Sequence, residues 1–282
     1  MSTNCSADAG PVAEDVKRSA RQVGTKLLVG GVAALAGLII VTAATARAAD
    51  PDTLWKIVHD RCVPGERERA NPRPCALVNE PREEVGGYAV LKDLNGVAQY
   101  LLIPTRRISG IEDPALLAPD APHYFADAWR ARTFVEGALG RRLPHDATAL
   151  VINSVQGRSQ EQLHIHIDCI RADVREELRL HAAEIGPTWT PFPVPLVGRN
   201  YLALRITKGG LEASDPFKLL AEGVPGARAD MGLHTLILAG TTLAGQPDFV
   251  LLDRRVVKEV GDRGNGTELL DRTCGLTPAA TH

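Results

Sequence analysis

Hydrophobic and polar residues alternate most regularly between Gln160 and Arg171, a stretch that reads QEQLHIHIDCIR. Three aliphatic side chains there, Leu163, Ile165 and Ile167, alternate with three polar ones, His164, His166 and Asp168. This period of two predicts a strand that buries one face only. Side chains two residues apart on a strand point the same way at about 7 Å separation, so the imidazoles and the carboxylate would form one row.

Similar patterns predict the elements around this strand. Apolar runs or alternations predict further strands at residues 88–91, 99–103, 147–153, 201–206, 233–238 and 249–252, with 93–96 as a hairpin turn. Helical spacing predicts helices at residues 54–62, 123–139 and 171–185, and a short helix capped by Ser214 or Asp215. Residues 63–82, rich in Pro, Asn, Arg and Glu, predict a loop. Hairpins followed by separate helices favour an α+β fold with a mostly antiparallel sheet covered on one side.

An apolar run near the amino terminus indicates a membrane segment. Residues 27–46 carry no charge, and twenty residues are enough to cross a bilayer as a helix. Basic residues precede the run, at Lys17, Arg18, Arg21 and Lys26. The positive-inside rule therefore predicts a single-pass membrane protein with a cytoplasmic tail (1–26), an exported domain (50–275) that faces the periplasm or exterior, and a short tail (276–282). Ala46-Arg47-Ala48 is also typical of a signal-peptidase site, so cleavage stays open as an alternative.

Composition narrows the function classes. The chain has 282 residues, of which 44% are hydrophobic, enough for a sizeable core. A net charge of −2 and an aromatic content of 4% provide neither the positive field nor the stacking surfaces that nucleic-acid binding needs. Nucleic acid is therefore excluded as the main partner.

Cysteine usage agrees with export. Four of the five cysteines lie beyond the apolar run, at Cys62, Cys75, Cys169 and Cys274, and an oxidising compartment would let them pair. Three pairings are possible; Cys62 with Cys75 closes the shortest loop and would leave Cys169 with Cys274.

The histidine strand allows a metal-binding interpretation. HIHID is similar to the HxHxDH signature of metallo-β-lactamase-like hydrolases, with Cys169 in place of the last His. In this alternative His164, His166 and Asp168 are metal ligands.

The order of elements resembles the histidine-triad (HIT) superfamily more fully. In that superfamily an Asn lies eleven residues, and a Gln four residues, ahead of the first His of HφHφHφφ; Asn153 and Gln160 have these distances from His164. Asp168 replaces the third His. Together with the membrane segment and stretches such as 54–58, 90–93 and 164–167, the exported part resembles the bacterial CDP-diacylglycerol pyrophosphatase family from about residue 54 to residue 274.

This resemblance implies an enzyme, a HIT-like fold and a set of roles. The substrate would be CDP-diacylglycerol held in the bilayer, and the products CMP and phosphatidate, with no metal or other cofactor. His166 would be the nucleophile that forms a cytidylyl-histidine, with the remaining catalytic positions at His164, Gln160, Asn153 and Asp168. Substrate contacts are expected at Lys92, Asp93, Arg106 and Arg158. An exported module that binds nucleotides or lipid head groups without turnover is the non-enzymatic alternative.

Overall fold

One antiparallel sheet organises the part of the chain that the computed structural model describes, which is residues 50–80, 86–207, 210–243 and 245–275. Its nine strands are β1 (Leu77–Asn79), β2 (Tyr88–Lys92), β3 (Tyr100–Pro104), β4 (Thr148–Ile152), β5 (Ile165–Cys169), β6 (Thr190–Pro191), β7 (Leu202–Thr207), β8 (His234–Leu243) and β9 (Gln246–Arg255). The order across the sheet is β1-β2-β3-β5-β4-β8-β9-β7-β6, and every neighbouring pair is antiparallel. The histidine strand β5 is therefore an interior strand between β3 and β4.

Within the described ranges, six α-helices accompany the sheet: α1 (Thr53–Ile57), α2 (Val63–Arg69), α3 (Tyr124–Leu139), α4 (Ala172–Leu180), α5 (Pro216–Gly223) and α6 (Ala227–Asp230). A π-helical turn, Val58–Cys62, joins α1 to α2. Short 3₁₀ turns lie at Pro114–Leu117, His145–Ala147, Ala182–Glu184, Met231–Leu233, Lys258–Val260 and Gly266–Leu269.

Most of the predicted elements are confirmed. The hairpin of β2 and β3, helix α3 and strands β4, β5 and β7 lie within two residues of their expected bounds or inside them. The predicted cap at Asp215 is also present, because its carboxylate accepts a hydrogen bond from the Phe217 main chain and so begins α5.

Two predictions about local structure were wrong. The stretch that begins at Val63 is helical up to Arg69 rather than a loop, because Pro64 lies in the first turn, where a missing N–H costs no hydrogen bond. Strand β1 follows within the same predicted loop. Strands β8 and β9 are ten residues each, since their polar ends pair with one another where the hydrophobic pattern stops.

Helices cover both faces of the sheet, not one as predicted. On one face a continuous core packs α3 and α5 against strand residues such as Leu102, Leu150 and Ile167. The opposite face carries two smaller cores, one under α1 and α2 and one under α4. Strand alternation explains this arrangement, because both sets of alternating positions are apolar in most strands.

The two smaller cores lie on either side of the histidine strand. His166 is the cross-strand partner of Leu101 in β3 and of Val151 in β4, so these three side chains share a face. Leu101 belongs to the core under α1 and α2, whereas Val151 belongs to the core under α4. The polar row of β5 therefore lies between two packed apolar regions, near the middle of the sheet.

Two disulfides tie peripheral segments to this framework. Cys62 pairs with Cys75, and Cys169 pairs with Cys274, which is one of the three possible connectivities. No helix within the four described ranges is both long and apolar enough to cross a membrane. The predicted membrane segment 27–46 and the tails 1–26 and 276–282 lie outside those ranges.

Candidate active site

His164, which directly precedes β5, and His166 within β5 meet at a cavity of about 440 Å³. The rings of His164 and His166 pack edge to face with centroids 5.0 Å apart, and both line the cavity. The other walls come from the α1 region, from the β2 to β3 turn and from the loop before β5, including Leu54, Arg61, Lys92, Asp93, Leu94 and Gln160. The strand pattern thus positions the imidazoles, and three sequence-distant segments enclose them.

His166 is held from behind by two residues of the β2 to β3 hairpin. Its Nδ1 lies 2.8 Å from Gln99 Nε2 and 3.6 Å from Asp93 Oδ2. Its Nε2 is buried and has no hydrogen-bond partner in the described part of the chain. The ring is therefore oriented through Nδ1, and Nε2 is left for a ligand.

Asp93 is the carboxylate that faces this ring. Burial raises its pKa, but hydrogen bonds from His166, from the Asn95 main chain and from Gln99 outweigh that effect and lower the pKa to about 2. Asp93 is thus ionised at neutral pH, and its negative charge stabilises positive charge on the His166 ring. Gln99 Nε2 can only donate, so His166 Nδ1 accepts its hydrogen bond in this arrangement. A lone pair on Nε2 requires the other tautomer, with the proton on Nδ1; Gln99 Oε1, which has no hydrogen-bond partner among the described residues, accepts from that Nδ1–H when the amide turns over.

His164 is uncharged at neutral pH. Burial is the main reason that its pKa falls to about 4, and the neighbouring His166 adds to this effect. Its Nδ1 lies 2.8 Å from the carbonyl oxygen of Gln162, which can only accept a hydrogen bond. The neutral ring therefore carries its proton on Nδ1, and its Nε2 is an acceptor.

Gln160 lines the cavity, and both the oxygen and the nitrogen of its side-chain amide bind main-chain groups. Its Oε1 accepts a hydrogen bond from Leu54 N at 2.9 Å, and its Nε2 donates to Asp50 O at 3.0 Å. It thereby fixes the beginning of α1 against the loop before β5. Asn153 directly follows β4 and is not among the residues that line the cavity; its Oδ1 accepts a hydrogen bond from Gly266 N.

The expected cations differ in their surroundings. Lys92 lines the cavity, and its Nζ donates to the carbonyl oxygens of Asp93 and Gly96, which stabilises the turn. The guanidinium of Arg158 is almost fully buried and is bound by Glu112 and Glu161. Neither Arg158 nor Arg106 is among the residues that line the cavity.

Asp168 contacts neither histidine. The row that the strand pattern predicts is present, but Asp168 Oδ1 accepts a hydrogen bond from Cys169 N, and Oδ2 is buried without a hydrogen-bond partner among the described residues. Burial raises its pKa to about 7. The residue that supports His166 is thus Asp93, which is brought to it by the hairpin turn.

The metal-binding interpretation finds no convergent ligand set. Within the described ranges, the one group of three or more His, Cys, Asp or Glu residues whose ligand atoms all lie close together is Asp168 with Cys169 and Cys274. Those two sulfurs are bonded to each other in a disulfide and cannot act as thiolates. The ligand atoms of His164, His166 and Asp168 do not form such a group.

Three contributors to the site were missed from the sequence. Gln99 was assigned only to a strand, although a glutamine in an otherwise apolar strand is a signal of a buried polar role, and it is 1% exposed. Gln162 is fully buried, and its carbonyl oxygen orients His164. Arg61 lines the cavity because the helical stretch that contains it packs there, and one sequence cannot reveal that placement.

Together, a paired-histidine strand, an ionised carboxylate behind one ring and an adjoining cavity have the features of an enzyme active site. The family model described as CDP-diacylglycerol pyrophosphatase matches residues 49–278. A protein from Yersinia pestis named CDP-diacylglycerol pyrophosphatase is 44% identical over 232 residues, which cover 82% of this chain and 87% of that protein. The chain therefore belongs to the CDP-diacylglycerol pyrophosphatase family, a family of hydrolases.

Proposed function

We propose that this protein hydrolyses the pyrophosphate bond of CDP-diacylglycerol to CMP and phosphatidate. The observation that carries the proposal is the pair His166 and Asp93 at a cavity, in a chain of this family. The name of the Yersinia pestis relative supplies the substrate.

The first step is nucleophilic attack by His166. In the tautomer that carries its proton on Nδ1, with the Gln99 amide turned so that Oε1 accepts that proton, the Nε2 lone pair attacks the phosphorus that carries cytidine. The bond to the bridging oxygen breaks with its electron pair on phosphatidate. The imidazole becomes a cytidylyl-histidine with positive charge on the ring. Asp93, which is ionised because its pKa is about 2, stabilises that charge through Nδ1–H.

The second step is hydrolysis of the intermediate. Water attacks the same phosphorus, the phosphorus–nitrogen bond breaks, and its electron pair returns to His166 Nε2. His164, neutral because its pKa is about 4, offers Nε2 as an acceptor that orients the attacking water. The water proton leaves with the products, and His166 regains its starting form.

Charge on the pyrophosphate needs cations at the cavity wall. Lys92 and Arg61 both line the cavity, and Arg61 has no ion-pair partner among the described residues, so we assign them this role. Of the expected arginines, Arg158 is neutralised by Glu112 and Glu161, and its proposed role is to hold the loop before β5. Arg106 is assigned a supporting position beside that loop, since its carbonyl oxygen accepts a hydrogen bond from Gln162.

Gln160 and Asn153 are assigned positioning roles. Gln160 holds the wall formed by α1, and Asn153 holds the main chain at Gly266. We further propose a HIT-like fold, which the antiparallel sheet with an HxH strand supports, and a membrane-anchored protein with residues 27–46 in the bacterial inner membrane. The enzymatic domain would then face the periplasm, on the side of the membrane where disulfides form.

The test is release of CMP and phosphatidate from CDP-diacylglycerol by the full-length protein in the presence of a chelator. We expect His166→Ala to lower the rate at least about 10³-fold, because the covalent route is lost. Asp93→Asn should lower it about 10²-fold, because the charge that orients and stabilises the ring is removed. The control is His181→Ala, which changes a histidine that pairs with Glu184 at the end of α4. Full activity of His166→Ala would contradict the proposal. So would a wild-type protein that is active without the chelator and inactive with it.

A further inference from the structure

The turn that carries Asp93 also projects two apolar side chains into solvent. Leu94 is fully exposed at 101% and Val97 is 60% exposed, the two largest exposures of any large hydrophobic residue in the described part of the chain. They are three residues apart in one turn, so their exposure is concentrated at a single place. Isolated exposed aliphatic residues need no explanation, but a pair at the edge of a cavity indicates a contact surface.

This turn is held in a fixed shape. Asn95 N donates to Asp93 Oδ1, Asp93 N donates to Gln99 O, and Lys92 Nζ binds two carbonyl oxygens of the turn. Gly96 has a φ of +70°, a backbone conformation that residues with a side chain adopt rarely. The exposure of Leu94 and Val97 is thus imposed by the hydrogen bonds of the turn.

The turn adjoins both the cavity and a free positive charge. Leu94 lines the cavity, so an apolar contact made by this residue is continuous with the ligand site. Arg61 lines the same cavity, is exposed and has no ion-pair partner in the described ranges. Two exposed aliphatic side chains beside a cation match the boundary between acyl chains and anionic head groups.

We propose that Leu94 and Val97 insert into the surface of the lipid bilayer and hold the cavity over the head group of the substrate. This inference rests on the proposed function, because that function places the substrate's acyl chains in a bilayer. It adds a partner, the bilayer surface itself, and a structural reason why the turn that bears Asp93 is apolar at its tip. Lipid contact and the orientation of His166 are thereby functions of one turn.

The experiment compares two substrates with the full-length protein. One is long-chain CDP-diacylglycerol in phosphatidylcholine vesicles, and the other is a short-chain CDP-diacylglycerol that is monomeric in water. We expect Leu94→Ser to lower the ratio of vesicle rate to soluble rate about tenfold, since part of a leucine side chain no longer enters the lipid. Val97→Ser, outside the cavity lining, should lower the vesicle rate about threefold and leave the soluble rate unchanged.

The matched control is Leu180→Ser, because Leu180 is 56% exposed on α4 and does not line the cavity. It should leave both rates unchanged. An unaltered ratio in Leu94→Ser and Val97→Ser would overturn the lipid contact, as would an equal loss on both substrates. Failure of the wild-type protein to hydrolyse either substrate would instead overturn the proposed function on which the inference rests.

Discussion

Among single residues, Asp168 shows how a strand position can differ from its expected role. It lies on the histidine face of β5, yet it is fully buried beside the disulfide and contacts neither ring. Asp93, separated from the strand by more than sixty residues, supplies the carboxylate at His166. A burial-driven rise of a carboxyl pKa is a cost to the folded state once the group ionises.

Asp168 should make stability depend on pH. The pKa of Asp168 is about 7 in the folded protein, and the ordinary value of 3.8 applies to the unfolded chain. Between these two pH values the folded protein therefore binds one more proton than the unfolded chain. The free energy of unfolding therefore falls as pH rises from about 4 to about 7, by on the order of 4 kcal/mol from this group. Asp168→Asn should remove that part of the slope and be the more stable protein at pH 8, measured by urea midpoints at pH 5 and pH 8. Parallel midpoints in the two proteins would show that Asp168 does not titrate in this range.

At the level of elements, the short helix α1 forms a wall of the cavity although it has only five residues. An isolated helix of that length is not stable, so its position must come from tertiary contacts. Gln160 supplies two of these contacts, to Leu54 N and to Asp50 O.

Gln160→Ala should therefore change substrate binding more than chemistry. We expect KM to rise about fivefold to tenfold while kcat stays within about twofold, because roughly 1 kcal/mol of hydrogen bonding to α1 is lost. Steady-state kinetics measure both constants. Gln156→Ala is the control, because Gln156 lies in the same loop and its hydrogen bond to Ser154 Oγ is donated by its main-chain N. A loss confined to kcat would instead make Gln160 part of the chemical step.

The elements themselves were largely predictable from the sequence, whereas their assembly was not. Alternation around His164 and His166 predicts the strand and its polar row, because a period of two is a local property. That Asp93 reaches His166 and that Arg158 is bound by two carboxylates depend on contacts between distant segments. Asp168 was misassigned a contact for the same reason, since strand geometry gives a direction but not a partner.

Across the whole molecule, the disulfide Cys169–Cys274 connects the histidine strand to the carboxyl-terminal segment. That segment also reaches the β2 to β3 turn, through the hydrogen bond from Val97 N to Arg272 O. The histidines and the turn that carries Asp93 are therefore fastened to the same stretch of chain. The disulfide Cys62–Cys75 instead braces α2 and the segment before β1.

The two disulfides should differ in their effect on activity. Replacing Cys169 and Cys274 by Ser should lower the free energy of unfolding by about 2–5 kcal/mol and also lower kcat, because the turn at Asp93 loses its tether. Replacing Cys62 and Cys75 should lower stability with a smaller effect on kcat. Denaturant unfolding and initial rates at a temperature where both variants are folded make the comparison. Equal kcat values in the two variants would mean that the carboxyl-terminal tether does not position Asp93.

The most direct test of the whole account is the identity of the residue that becomes covalently modified during turnover. Full-length protein in excess over CDP-diacylglycerol labelled in the phosphate next to cytidine is quenched in alkali within one turnover, and its peptides are analysed by mass spectrometry. The account predicts CMP attached to His166, at a level that rises and falls with the release of phosphatidate and CMP. CMP attached to His164, or turnover with no labelled histidine at any time, would contradict it.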